Sequence, residues 1–223
     1  MNIANQIKKL SKKLMSKGGY TWIIDPGHGA LNTVNRSPAL DDGSIFYEWE
    51  FNRDIAERLM AKLEGEGISY VDLLPDFQDV GNFVMGRIAR ANAKMYSKTP
   101  IYVSIHSDAA PSRLRNKLGW ANSISGSTVY YESANGAKLA QRFADRLADL
   151  FRNRGIKRRI SDKTGKQYYA VLRETKMVAV LLEIGFYTNK RECGKLMDSN
   201  FRQEITNKLF ETIKQINNEQ PIS

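Results

Sequence analysis

The sequence predicts an α/β protein, a sheet built on parallel strands with helices packed on both faces. Three observations carry that expectation. Short β-branched and aromatic runs alternate along the whole chain with longer segments whose apolar residues recur every three or four positions, the pattern of strand–helix–strand units. Three of the apolar runs (TWIID, IYVSI and VAVLL) each stop where a histidine or a carboxylate follows, and the carboxyl ends of strands are where open α/β sheets bind their ligands. Finally, 223 residues that are 42% hydrophobic and 26% charged, without low-complexity segments, suffice for one domain with a buried core.

The elements follow in order. Residues 1–19 carry Lys8, Lys9, Lys12, Lys13 and Lys17 with no acid, and Ile3, Ile7, Leu10 and Leu14 at helical spacing. This predicts a basic amphipathic extension, either docked by its apolar stripe or anchored on an anionic membrane or wall polymer. It lacks the continuous apolar stretch of a secretory signal, so it is expected to be retained. The catalytic domain is expected over 20–223. A strand at 20–25 is stopped by Asp25, Pro26 and Gly27 and opens into a polar loop, 30–44. A helix at 47–63 ends at Gly65 and Gly67, a strand follows at 69–74, then a helix at 83–96 with Val84, Ile88, Ala91 and Met95 on one face. The strand at 101–105 leads to a loop, 107–125, containing Arg113, Arg115, Lys117 and Trp120. A strand at 127–131 precedes an amphipathic helix at 136–153, with Leu139, Phe143, Leu147 and Leu150 inward and Gly155 as its stop. After a basic run at 152–159 come a short strand at 168–172, the strand at 178–183, and a closing helix at 201–216.

Composition narrows the function classes. No apolar run approaches the roughly 20 residues that cross a bilayer, so a soluble protein is expected. The net charge of +10 favours polyanionic surroundings: nucleic acid, anionic lipid or envelope polymers. A specific nucleic-acid role is disfavoured, because no strand interleaves aromatic and basic residues and no helix-turn-helix pattern is present. The single cysteine, Cys193, excludes an internal disulfide and reads as inert packing.

The chain holds only two histidines, His28 and His106, and both follow a strand. Either one alone reads equally as a hydrogen-bonded strand-end residue; their matched settings favour a shared metal ion. The third ligand must then be a carboxylate. At about 100° per residue, Phe51, Ile55, Leu59 and Leu63 mark the buried stripe of the helix at 47–63, and Glu48 falls within it while Glu50 points away. A buried acid needs a partner; the other reading leaves Glu48 in a frayed first turn, favouring the helix dipole. Two histidines and one carboxylate form a zinc-hydrolase ligand set, with zinc acidifying a water and polarising a carbonyl. Glu183 ends the third apolar run. Partial desolvation would raise its pKa and suit it to acid-base catalysis, unless it pairs with a nearby Arg or Lys.

The motifs IIDPGHG, Glu48 with Asn52 and Ile55-Ala56, RIARAN (87–92), VSIHSDA, NRGIK (153–157), AVLRET (170–175) and LLEIGFYTN occur in that order. Together they resemble the zinc-dependent N-acetylmuramoyl-L-alanine amidases of the amidase-3 class, over nearly all of 20–216. The resemblance implies a phosphorylase/hydrolase-like α/β fold with a mixed six-stranded sheet. It implies Zn²⁺ held by His28, Glu48 and His106, with Glu183 as catalytic acid-base, and hydrolysis of the amide joining N-acetylmuramic acid to L-alanine of the peptidoglycan stem peptide. Asn52, Asp108, Arg113 and Trp120 are the candidate substrate contacts. Ala30 and Asp108 stand where many members have Gly and Asn, and Val178 where Pro is common; these departures bear on substrate preference rather than chemistry. The chain also resembles a phage endolysin, made as a monomer in the host cytoplasm, released by a holin and acting on the wall. A sporulation or wall-remodelling amidase and a zinc carboxypeptidase of the same fold are the alternatives.

Overall fold

The computed structural model describes residues 19–74 and 84–219. The expected helix within 1–19 lies almost wholly outside them. Six strands, β1 (Tyr20–Pro26), β2 (Tyr70–Asp72), β3 (Thr99–Asp108), β4 (Ser127–Tyr131), β5 (Asn153–Lys157) and β6 (Val178–Phe186), form one sheet in the order β2-β1-β3-β6-β4-β5. All neighbours are parallel except β4 and β6, so the sheet is mixed. Helices α1 (Glu48–Gly65), α2 (Val84–Ala93), α3 (Ala134–Leu147), α4 (Ala170–Glu174), α5 (Lys190–Met197) and α6 (Ser199–Asn218) cover it. None of the described helices is long and apolar enough to cross a membrane.

Strand alternation sorts the core into two layers. On one face Trp22, Ile24, Val103, Ile105, Val180 and Leu182 pack against Phe51, Ile55 and Leu59 of α1, Phe143 of α3 and Leu209 of α6. On the other, Ile23, Tyr102 and Leu181 meet Ile88 and Ala91 of α2 and Val171 and Leu172 of α4. The same alternation places Asp25, Ser104, His106 and Glu183 on this second face, at the carboxyl ends of their strands. The register completes the alignment, with Asp25 opposite Ser104 and His106 opposite Glu183.

The structure departs from the sequence-based expectation in five places. The segment at 168–172 is not a strand: α4 occupies it, because Val171 and Leu172 bury against the second face whatever their β propensity. The strand lies instead in the basic run, where β5 pairs only with β4 and carries no buried alternation; a charged edge strand of this kind protects the sheet from further pairing. Helix α2 ends at Ala93, which leaves Met95 fully exposed rather than on the apolar face. Helix α3 starts at its Ser133 cap, whose hydroxyl accepts from the Gly136 N–H at 3.0 Å, and stops at Leu147; Gly155 sits within β5 at φ 82. Helix α5, absent from the expectation, is capped by Asn189, which accepts from the Glu192 N–H at 3.1 Å.

Leu59 is fully buried in the larger layer, whereas Glu57 on the same helix is exposed. Leu59→Ala is expected to cost about 2–5 kcal/mol in urea unfolding, and Glu57→Ala about 0.5 kcal/mol or less. Equal losses would mean that α1 does not pack as described.

Candidate metal centre and catalytic cavity

The turn after β1 is held from three sides. Asp25, 1% exposed, accepts hydrogen bonds from the Tyr102 and Ser104 hydroxyls, each at 2.7 Å, and ion-pairs with Arg87 of α2. Burial alone would raise the Asp25 carboxyl, but Arg87 and these hydroxyls hold it below its ordinary value. Arg87 also donates to the carbonyls of Pro26, at 2.6 Å, and His28. Asn52 of α1 donates from Nδ2 to the Gly27 carbonyl at 2.9 Å. His28 is the one non-glycine among the described residues with a positive φ, 61°, a conformation that persists where surrounding contacts over-determine it. Gly27 is dictated by contact: a Cβ there would lie 2.1 Å from Cε1 of His106.

Glu48 opens α1, with its N–H donating to the Asn35 carbonyl at 3.0 Å. Its Oε2 lies 3.2 Å from His28 Nε2 and its Oε1 3.0 Å from His106 Nδ1, while the Ser107 N–H donates to Oε1 at 3.2 Å. The two imidazole centroids are 5.0 Å apart and nearly perpendicular. One donor atom from each of the three side chains lies within 4.8 Å of the others. The side-chain amide nitrogens of Asn32 and Asn35 lie 2.9 Å from Nδ1 and 2.8 Å from Nε2 of His28 and hold the ring between them.

The charge state suits a cation. Burial lowers the His106 pKa and favours the neutral ring. Burial would raise Glu48, yet its bonds to His106 and His28 bring it down to about 2. A neutral imidazole and an ionised carboxylate are the forms in which these side chains ligate a metal. With Glu48 3% exposed, a buried anion between two imidazoles is costly unless compensated. The residues present therefore fit a divalent metal ion, with His28, Glu48 and His106 as the donors.

This cluster lines a cavity of about 610 Å³ that also contains Asp108, Arg159, Tyr169 and Glu183. Glu183 is 7% exposed; the Tyr169 hydroxyl donates to its Oε1 at 3.4 Å, and its buried Oε2 has no hydrogen-bond partner among the described residues. Burial first, then the Asp108 and Glu48 carboxylates, push Glu183 well above the usual carboxylate range. Burial pushes Asp108 up to about 6, although its side chain accepts from the Ala109 N–H at 2.8 Å. The arrangement offers a metal-competent triad and, in the same cavity, a carboxyl poised to exchange protons.

Of the residues singled out from sequence, His28, Glu48, His106, Asp108 and Glu183 come together in the cavity. Asn52 lies beneath it and holds the Gly27 carbonyl. Arg113 lies in a 3-10 turn (Ser112–Leu114), and Trp120 is buried in the larger core layer; neither lines the cavity. Sequence reasoning gave no role to Arg87 or Tyr169, and read Arg159 only as the end of a basic run facing anionic polymers rather than as a cavity residue. Arg87 carried a signal, a charge between the apolar positions of α2, whereas Tyr169 was misplaced with its supposed strand.

The family model described as N-acetylmuramoyl-L-alanine amidase matches residues 23–215. The N-acetylmuramoyl-L-alanine amidase LytC of Bacillus subtilis (strain 168) is 30% identical over 208 residues, covering 91% of this chain and 35% of LytC. The chain thus spans about a third of that relative's length. Among solved structures, an N-acetylmuramoyl-L-alanine amidase from Clostridium difficile 630 superposes with a TM-score of 0.71 at 25% identity, covering 92% of this chain and all of that one. Cwp6 from Clostridium difficile gives 0.73 at 25% identity, covering 90% of this chain and 30% of its own.

Because a methyl group at position 27 would occupy the space of the His106 ring, Gly27→Ala is expected to bind far less than one metal ion per chain, as His28→Ala should. Metal analysis of the dialysed protein, with circular dichroism as a fold control, checks this. One tightly held equivalent in a folded Gly27→Ala variant would contradict the packing.

Proposed function

The chain belongs to the N-acetylmuramoyl-L-alanine amidase family, and on that premise we propose that it is a zinc-dependent peptidoglycan hydrolase. Its substrate is the amide between the lactyl carbonyl of N-acetylmuramic acid and the amino group of L-alanine in the stem peptide. The observation that carries the reading is the buried donor set of His28, Glu48 and His106 sharing one cavity with Glu183, whose Oε2 has no hydrogen-bond partner among the described residues.

His28, Glu48 and His106 would hold the ion, and this donor set of two imidazoles and a carboxylate is one that zinc accepts. Zinc there would acidify the attacking water and polarise the scissile carbonyl. Glu183 takes the proton from that water at Oε2 and passes it to the leaving amine nitrogen. Tyr169 orients the carboxyl by donating to Oε1, which keeps Oε2 available. Asp25, Arg87 and Asn52 hold the backbone of the His28 turn in place. The products are a muramic lactyl carboxylic acid and a peptide with a free L-alanine amine.

The resemblance to phage endolysins read from the sequence favours an endolysin setting, in which the enzyme reaches the wall after a holin opens the membrane and lyses the host. In a cellular setting the same chemistry would serve wall remodelling. Expression of the chain with and without a membrane-permeabilising partner separates the two, since an endolysin lyses only when released.

Chelation is expected to abolish release of alanine amines from purified sacculi, and added Zn²⁺ to restore it. Glu183→Ala should lose roughly 10²- to 10⁴-fold or more in kcat while retaining about one zinc per chain, the stoichiometry of a single three-ligand site. Mass spectrometry should find intact stem peptides beginning at L-alanine. Cleavage inside the stem peptide would instead identify a carboxypeptidase, and full activity without metal would refute the mechanism.

A further inference from the structure

The cavity carries a recognition element that the proposed chemistry does not use. Three carboxyl groups, Glu48, Asp108 and Glu183, line it without an arginine or lysine ion pair among the described residues, and Arg87 is committed to Asp25 and to two carbonyls. Against them stands Arg159. It lies near both Asp108 and Glu183 and lowers the pKa of each, yet it makes no ion pair with any carboxylate among the described residues. Its neighbour Arg158 shows the contrast, being taken up by both oxygens of Glu132 at 2.6 and 3.1 Å.

Arg159 is also held in place. Its guanidinium carbon lies 4.0 Å from the centroid of the Tyr168 ring and 5.6 Å from that of Tyr169, and its Nη1 donates to the Tyr169 hydroxyl at 3.2 Å. The backbone fixes this pairing. The Tyr168 N–H donates to the Arg159 carbonyl at 2.6 Å, and Ile160 bridges to Gln167, whose buried amide donates to the Tyr131 carbonyl at 2.8 Å. A guanidinium has five donors in a rigid fork that matches a carboxylate, and one of them is used here. Stacking on tyrosine restrains the fork before a ligand arrives.

Distance selects which carboxylate. A single hydroxyl, that of Tyr169, links Arg159 to Glu183 through bonds of 3.2 and 3.4 Å. In an extended peptide each residue advances about 3.3–3.6 Å, so a carboxylate on the second residue of the stem peptide falls within reach once the scissile amide lies beside Glu183.

We propose that Arg159, stacked on Tyr168 and tethered by Tyr169, is a specificity-determining residue that binds a free carboxylate on the second residue of the stem peptide. This rests on the amidase reading above and deepens it: the enzyme prefers substrates in which that group is an acid over those in which it is a carboxamide.

The test uses the zinc-loaded full chain and two synthetic muropeptides that differ only in whether the second residue's carboxylate is free or amidated. The wild-type enzyme should favour the free acid by about 10-fold or more in kcat/KM, the scale of a charge-assisted bidentate contact. Arg159→Ala should reduce that ratio to within about twofold by raising KM for the acid, and Arg159→Lys should keep part of it. Arg158→Ala should keep the wild-type ratio. Zinc content and circular dichroism confirm that each variant is folded and loaded. A wild-type enzyme that does not discriminate, or an Arg159→Ala variant that retains the preference or loses the same factor on both substrates, overturns the proposal while leaving the amidase reading intact. Failure of the wild-type enzyme to cleave either substrate at the muramyl–alanine bond would defeat the amidase reading and the proposal together.

Discussion

A carboxylate buried between two imidazoles is the constraint around which this molecule is arranged. Glu48 is 3% exposed, its oxygens face His28 and His106, and no lysine or arginine among the described residues pairs with it. An ionised acid in that position is stabilised only by the groups aimed at it. Each nearby element serves that aim. Helix α1 begins at Glu48, the loop returns through Asn35 to receive its N–H, β3 bulges after His106, and Ser107 donates a further N–H to the carboxylate.

The sheet supplies the geometry that lets these groups converge. Parallel β1, β3 and β6 run in register so that Asp25, His106 and Glu183 emerge at one edge on one face. The opposite face is given over to the larger core layer, with α1, α3, α5 and α6 closing it. Three local rules are broken near the edge: His28 at positive φ, a glycine forced by a neighbouring ring, and an arginine buried under three carbonyl and carboxylate contacts. Proteins tolerate such violations chiefly where a site must be held to a particular shape. The turn at 25–28 is held in this shape by the bonds that Arg87 and Asn52 make to Asp25 and to the carbonyls of Pro26, Gly27 and His28.

Much of this was readable from the chain because strong periodicity and rare residues coincide at the site. Two histidines in matched positions, and an acid on the apolar stripe of α1, pointed to the cluster before any coordinates did. Glu183 was visible as an acid closing an apolar strand. The parts that escaped are those whose order comes from tertiary contacts. Strand β5, at the sheet edge, has no buried alternation to report it, and Tyr168 to Leu172 has β-forming residues bent into a turn and short helix by burial of Val171 and Leu172. Arg159 and Tyr169 share the cavity because of that bend, so a linear reading could not pair them. Trp120 went the other way, an aromatic in a basic loop that packs into the core rather than the cavity.

The claim at the centre of this account is that His28, Glu48 and His106 share one divalent ion. Anomalous diffraction from crystals grown with Zn²⁺, collected on both sides of the zinc absorption edge, tests it directly. A single strong peak is expected about 2.0–2.2 Å from one nitrogen of each histidine and from a Glu48 oxygen, with Glu183 beside it and not bonded to it. A peak coordinated by Glu183 or Asp108 in place of Glu48, or no peak within the cavity, would contradict it.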